Sequence, residues 1–168
     1  MAENRLDSLI VNRLFVQSQA DLPESCLTNR NLSPTAAVAA SKITQQRVAP
    51  FHYGNSDDTA ATETFPLAAV VGSAGDLVGF AAGVVVANIG DSEITVDLLK
   101  NGVSVLDAPI TLDNSQAARE LVAAVLDTPL VELAADDVFE VAIVATAGTG
   151  TLGKGVFGRL VYNENAAT

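Results

Sequence analysis

The sequence predicts an all-β fold: a jelly-roll-like antiparallel β-sandwich preceded by an extended amino-terminal arm with one or two short helices. Three observations predict it. Apolar residues make up 49% of the 168 positions while aromatics make up 5% and Trp is absent, so Ala, Val and Leu must supply the core. Small and β-branched residues between Gly-rich turns favour packed strands over a helical bundle. About eight strand-like segments at short, even spacing then point to a sandwich or jelly roll. Finally, the charge is unevenly divided. Residues 1–60 hold five basic and six acidic residues, and residues 61–168 hold four basic and fourteen acidic. A near-neutral leader precedes a strongly acidic body, which divides the chain into an arm, 1–58, and a sandwich domain, 59–168.

In the arm, Leu9, Ile10, Leu14 and Phe15 form one apolar stripe of a short helix. Leu22-Pro23 ends it, because the residue before Pro is pushed towards extended geometry. Ser33-Pro34 offers a hydroxyl N-cap and Pro at the first helical position, and Thr35 to Lys42 is Ala-rich enough to continue for two turns. A leader without its own core is expected to fold only against a partner. Fully extended, forty such residues reach about 130 Å.

From Thr62 the pattern changes. Thr64–Val71 reads as a strand, and Leu77–Ala87 as a continuous apolar run buried on both faces. Glu93–Leu99 alternates polar Glu93, Thr95, Asp97 with apolar Ile94, Val96, Leu98, as in a half-buried strand. Asn101-Gly102 is a hairpin turn, since both positions require positive φ. Val103–Leu106 returns, and Pro109 confines the following segment to an edge. Asp113 with Gln116 resembles a capping box, and Ala117, Leu121 and Val125 have helical spacing, yet Leu121–Leu126 equally reads as a strand. The reading adopted is a loop followed by a strand. Leu130–Leu133, Val138–Thr146 and Val156–Tyr162 complete the set.

Composition excludes several functions. A net charge of −11 and a pI near 4.2 argue against nucleic acid or an anionic membrane as partner. One Cys forbids an intramolecular disulfide, and one His limits imidazole chemistry. No apolar run approaches the roughly 18 residues of a membrane span. Met1-Ala2-Glu3-Asn4-Arg5 lacks the start of a signal peptide.

Gly148-Thr149-Gly150-Thr151-Leu152-Gly153-Lys154 matches the first seven positions of a phosphate-binding P-loop. The motif needs a following Ser or Thr and then a helix, whereas Gly155 and a β-branched run follow. It reads as a hairpin loop. Asp57-Asp58 and Asp136-Asp137, with Asp91 and Glu93, supply carboxylates without calcium-loop spacing, and read as solvated turns. His52, between Phe51 and Tyr53, reads as part of a hydrophobic hinge seating the leader on the domain. Cys26 has only His52 as a conceivable base. With two Tyr and no Trp, sugar-binding platforms are sparse. The expectation is a protein that is not an enzyme and has no cofactor or metal.

Leu27-Thr28-Asn29-Arg30-Asn31-Leu32-Ser33-Pro34-Thr35-Ala36-Ala37-Val38-Ala39-Ala40-Ser41-Lys42-Ile43 resembles a segment that recurs near the amino end of tailed-phage fibre and head-associated proteins. Val96-Asp97-Leu98-Leu99-Lys100-Asn101-Gly102 and Leu133-Ala134-Ala135-Asp136-Asp137-Val138 look like the small sandwich of phage head fibres and capsid cement proteins. The resemblance implies a homotrimer on the outer capsid surface of a virion, bound to the major capsid protein through its leader and reinforcing joints between capsomers. The chain lacks a long fibre repeat, which favours a compact cement or decoration protein. On that reading the capsid or inter-subunit contacts are Leu9, Ile10, Leu14, Phe15, Leu32, Val38, Lys42, Ile43 and Arg47. The alternative is a head fibre or receptor- and glycan-binding module, with Gly148–Gly155 and Ser73–Asp76 as its loops.

Overall fold

The structure is a computed structural model, and it describes residues 45–71, 74–127 and 131–164. Ten strands are present: β1 (Gln45–His52), β2 (Glu63–Ala69), β3 (Ala74–Val86), β4 (Glu93–Lys100), β5 (Val103–Ser104), β6 (Ile110–Leu112), β7 (Val122–Ala123), β8 (Glu132–Ala134), β9 (Val138–Thr146) and β10 (Lys154–Glu164). Among the described residues there is no helix. The short helices expected in the arm lie outside the described residues.

The pairing is that of a jelly roll. One sheet runs β1-β10-β3, with β7 and β8 both on the far side of β3. The other runs β2-β9-β4, with β5 and β6 on the far side of β4. Every pair is antiparallel. The chain is therefore one long hairpin: β1 pairs β10, β2 pairs β9, β3 pairs β7 and β8, and β4 pairs β5 and β6. Wrapping that hairpin on itself sets β10 against β3 and β9 against β4, closing two layers over one core.

Period-two alternation fills the space between the sheets. Ile94, Val96 and Leu98 of β4, with Phe139, Val141 and Ile143 of β9, are at most 1% exposed. Leu77, Phe80, Val84, Val156 and Leu160 answer them from the other sheet. Centrally, β3 is buried on both faces from Phe80 to Val84, as its unbroken apolar run predicts. On the outer side the Glu120 carbonyl lies against Gly83, so close that a Cβ there would sit 2.0 Å from the oxygen. Segment 113–121 is indeed a loop, with Asp113 Oδ1 accepting from Ser115 N (2.7 Å), and strand β7 follows it.

One boundary differs from the sequence reading. Gln45–His52 was assigned to the arm, yet it pairs along its whole length with β10 and forms an edge of the sheet. QQRVAPFH gives no alternating signal because an edge strand at this corner buries little. Only Phe51 is fully in the core, with its ring stacked on Phe80 at 5.7 Å. The Phe51–Tyr53 cluster is thus part of the sandwich wall. Tyr53 N donates to Val156 O, so odd positions of β1 face β10 and Pro50 falls on the free side, where a missing N–H costs no ladder bond. On the neighbouring edge, β2 carries Pro66 and a register shift before Ala68. Prolines and bulges at edges oppose unwanted strand addition.

Candidate functional site: a carboxylate-flanked aromatic cleft

Of the predicted contact residues, Leu9, Ile10, Leu14, Phe15, Leu32, Val38, Lys42 and Ile43 lie outside the described residues. Arg47 lies in β1 with its side chain half exposed, and its Nε is 2.9 Å from Glu164 Oε2.

The P-loop-like segment is closed upon its own chain. Gly148 N donates to Ser92 Oγ (3.0 Å), while Thr149 donates both its backbone N–H and its hydroxyl to Asp91 Oδ1. A carboxylate therefore occupies the loop donors that a phosphate would need. Those hydrogen bonds hold the Asp91 carboxyl below the usual carboxylate range. Gly150 packs against the Ile89 carbonyl, and Gly153 N donates to the buried Asn88 Oδ1 (2.7 Å). Lys154 opens a strand.

In the Asp136-Asp137 turn, the second carboxylate is similarly committed. Asp137 Oδ2 accepts from Ala134 N (2.8 Å) and its Oδ1 from Asn101 Nδ2 (2.7 Å), with Lys100 Nζ at 3.5 Å. Among the described residues no three His, Cys, Asp or Glu side chains converge as a metal site would require.

An open cleft of about 460 Å³ lies where β1 ends and β2 begins, lined by His52, Tyr53, Gly54, Asp58, Thr59, Glu63 and Phe65. The connection that builds it is pinned to the start of β10: Ala60 N donates to Gly153 O and Gly155 N to Asp58 O, both at 3.0 Å. Gly54 has φ +62°, and a Cβ there would meet Asp58 Oδ2 at 2.7 Å, so glycine is needed to let the carboxylate cap the turn. That cap consists of bonds from Asn55 N (2.7 Å) and Asn55 Nδ2 (3.2 Å) to Asp58 Oδ2. Tyr53 and Phe65 stack at 6.2 Å between centroids, and Phe65 continues inward to Phe51 at the same spacing. Desolvation first, then the neighbouring Glu63 carboxylate and the charge of Asp58, push the Tyr53 phenol above its ordinary value.

The sequence pointed at Phe51–Tyr53 but not at this cleft. Glu63 and Phe65 follow a ten-residue connection, and nothing local to either segment signals that β1 and β2 become adjacent edges.

No family model matches the chain, and no curated protein matches it. Among solved structures, a chain from Bacillus endospore appendages, described as disulfide-linked pili, is 17% identical over 80% of this chain and 98% of that one, with a TM-score of 0.29. A likeness at that level carries no argument about fold or function.

Proposed function

We propose that this chain is a virion structural protein of a tailed phage: a capsid cement or decoration protein, trimeric, bound to the major capsid protein through its amino-terminal arm. The observation that carries the reading is one of placement. The segment Leu27–Ile43, which resembles a recurrent virion segment, ends two residues before Gln45, where the jelly roll begins. A short leader leads straight into a self-closed body with guarded edges. The body is strongly acidic, and the leader from 8 to 50 holds four basic residues against two acidic ones. Such a leader suits a segment that orders on a larger acidic surface.

Mechanically, three arms on one trimer raise avidity steeply when all engage together. Many modest contacts would then tie neighbouring capsomers and resist outward pressure from packaged DNA. Co-sedimentation with undecorated capsids of the cognate phage tests this directly. The full chain should pellet with capsids and raise their resistance to heat or osmotic shock, and residues 45–168 should remain in the supernatant. Equal capsid binding by residues 45–168 would overturn the role of the arm, and a monomeric mass on and off the particle would overturn the trimer.

A further inference from the structure

The cleft at the β1–β2 corner has no part in the capsid reading, yet it is a built feature. We infer that it binds the guanidinium group of an arginine side chain presented by a partner protein.

The argument rests on what the cleft offers and what it lacks. Two of its lining side chains are the Tyr53–Phe65 pair, stacked at 6.2 Å and 27°, and Phe65 in turn meets Phe51 of the core. Two carboxylates flank it, Asp58 and Glu63, and no Lys or Arg lines it. Both bonds that Asp58 accepts fall on Oδ2, which leaves Oδ1 unengaged. Two carboxylate acceptors thus share the cleft with the side chains of His52, Tyr53 and Thr59. A saccharide brings no positive charge to meet those carboxylates. A guanidinium brings five N–H donors and no acceptor, in a plane that stacks on an aromatic face while its edge meets a carboxylate in a fork. An ammonium is a compact point charge that uses neither the plane nor the fork.

Electrostatics and size point the same way. The chain has a net charge of −11, so its field draws cations towards an acidic concavity. A volume of about 460 Å³ admits a whole arginine side chain with its neighbouring backbone. Cation–π attraction is stronger for a desolvated cation, and the Tyr53–Phe65 pair provides that on one side.

The test uses the full chain and N-acetyl-arginine methylamide as probe, followed by proton NMR of the ring resonances. Tyr53 and Phe65 should shift and saturate with a dissociation constant on the order of millimolar, about 4 kcal/mol of binding. The Tyr162 ring should not move. The lysine analogue should bind at least about threefold more weakly, and glucose and galactose should not bind. Glu63→Gln should weaken the arginine probe about tenfold, while Glu140→Gln, which removes a carboxylate from the outer face of β9, should leave it unchanged. Thr59→Arg, which places a guanidinium at the rim of the cleft, should block the probe without disturbing the fold. Equal loss in Glu63→Gln and Glu140→Gln would reduce the effect to general attraction, and overturn the site. Saturation by a hexose but not by arginine would make it a sugar site, and no saturation by about 100 mM probe would overturn the inference outright.

Discussion

Arg47 Nε lies 2.9 Å from Glu164 Oε2, and the other oxygen of that carboxylate accepts from Val71 N at 3.1 Å. One acidic side chain, almost wholly buried, therefore ties β1 and the end of β10 to the segment leaving β2. The two partners contribute unequally. Arg47 is half exposed, so its loss removes a screened pair worth about 0–1 kcal/mol. Glu164→Ala also removes the bond from Val71 N, a hydrogen bond to a charged acceptor, and is expected to cost about 1–3 kcal/mol. Urea unfolding of Arg47→Ala and Glu164→Ala should separate them in that order.

The same corner sets where the chain divides. Removing residues 1–44 should leave the urea midpoint of the body within experimental error. Removing residues 1–52 strips β1, deletes the buried Phe51 and bares the β10 edge. Losing a buried Phe side chain alone costs about 3–5 kcal/mol, and an open edge invites strand pairing between molecules. Light scattering should report aggregation in the shorter form only. If both truncations behave alike, β1 is dispensable.

Asn88 offers a sharper measure of how the layers are joined. It is 3% exposed, donates from Nδ2 to Leu112 O (2.8 Å) and accepts at Oδ1 from Gly153 N (2.7 Å). Its amide thereby links β6 in one sheet to the residue entering β10 in the other. Asn88→Ala leaves both partners unsatisfied, each at about 1–3 kcal/mol. The urea midpoint should fall with an unchanged slope. Asn88→Asp should fall too, since a carboxylate cannot donate to the Leu112 carbonyl.

The jelly roll was legible because it rests on period two. Glu93–Leu98 alternates polar with apolar residues and Val138–Thr146 is an apolar, β-rich run, and they became the central strands of one sheet almost residue for residue. Asn101-Gly102 marked the turn between β4 and β5 because its chemistry is local. What escaped was non-local. β1 has one fully buried side chain and a Pro, so its assignment as a strand depends on β10, more than a hundred residues later. The cleft needs Tyr53, Asp58 and Glu63 to meet around Phe65, which only the closure of both sheets brings about. The glycine loop was legible as a hairpin connection because no helix can follow it. Its spacing is that of a phosphate cradle, but Asp91, about sixty residues earlier, fills it.

Acid should loosen the turn that joins β8 to β9. Two hydrogen bonds and one salt bridge converge on Asp137, and the bond from Ala134 N, with Asn101 and Lys100, lowers its pKa in the folded chain. A depressed carboxyl stabilises the fold at pH above its unfolded value of about 3.9, and that contribution is lost as pH falls through the folded value. Asp91 and Asp113 are lowered in the same direction by bonds from Thr149 and Ser115. Stability should therefore hold from neutral pH to about 4 and then decline. In Asp137→Asn, stability near neutral pH should drop by about 1–3 kcal/mol and the acid decline should become shallower. Thermal melts from pH 7 to pH 2.5 would show an unchanged acid slope if Asp137 is not a contributor.

Two glycines separate backbone strain from side-chain space. At the β4–β5 turn Asn101 has φ +52° and Gly102 has φ +81°, and a Cβ on Gly102 would meet nothing within 4 Å. Space is available there, so any cost of Gly102→Ala is purely conformational, about 1–2 kcal/mol for holding an L-residue in the left-handed region. Gly79 in β3 also has open space but no positive φ. Gly79→Ala should be neutral or stabilising by up to about 1 kcal/mol, because the unfolded chain loses freedom while the strand loses nothing. The pair is its own control, since both changes add one methyl group to open space. A destabilised Gly102→Ala beside a neutral Gly79→Ala would assign the difference to φ. Equal effects would mean that the hairpin tolerates a different turn, and that the register from Glu93 to Ser104 rests on the buried Ile94, Val96 and Leu98 rather than on Asn101-Gly102.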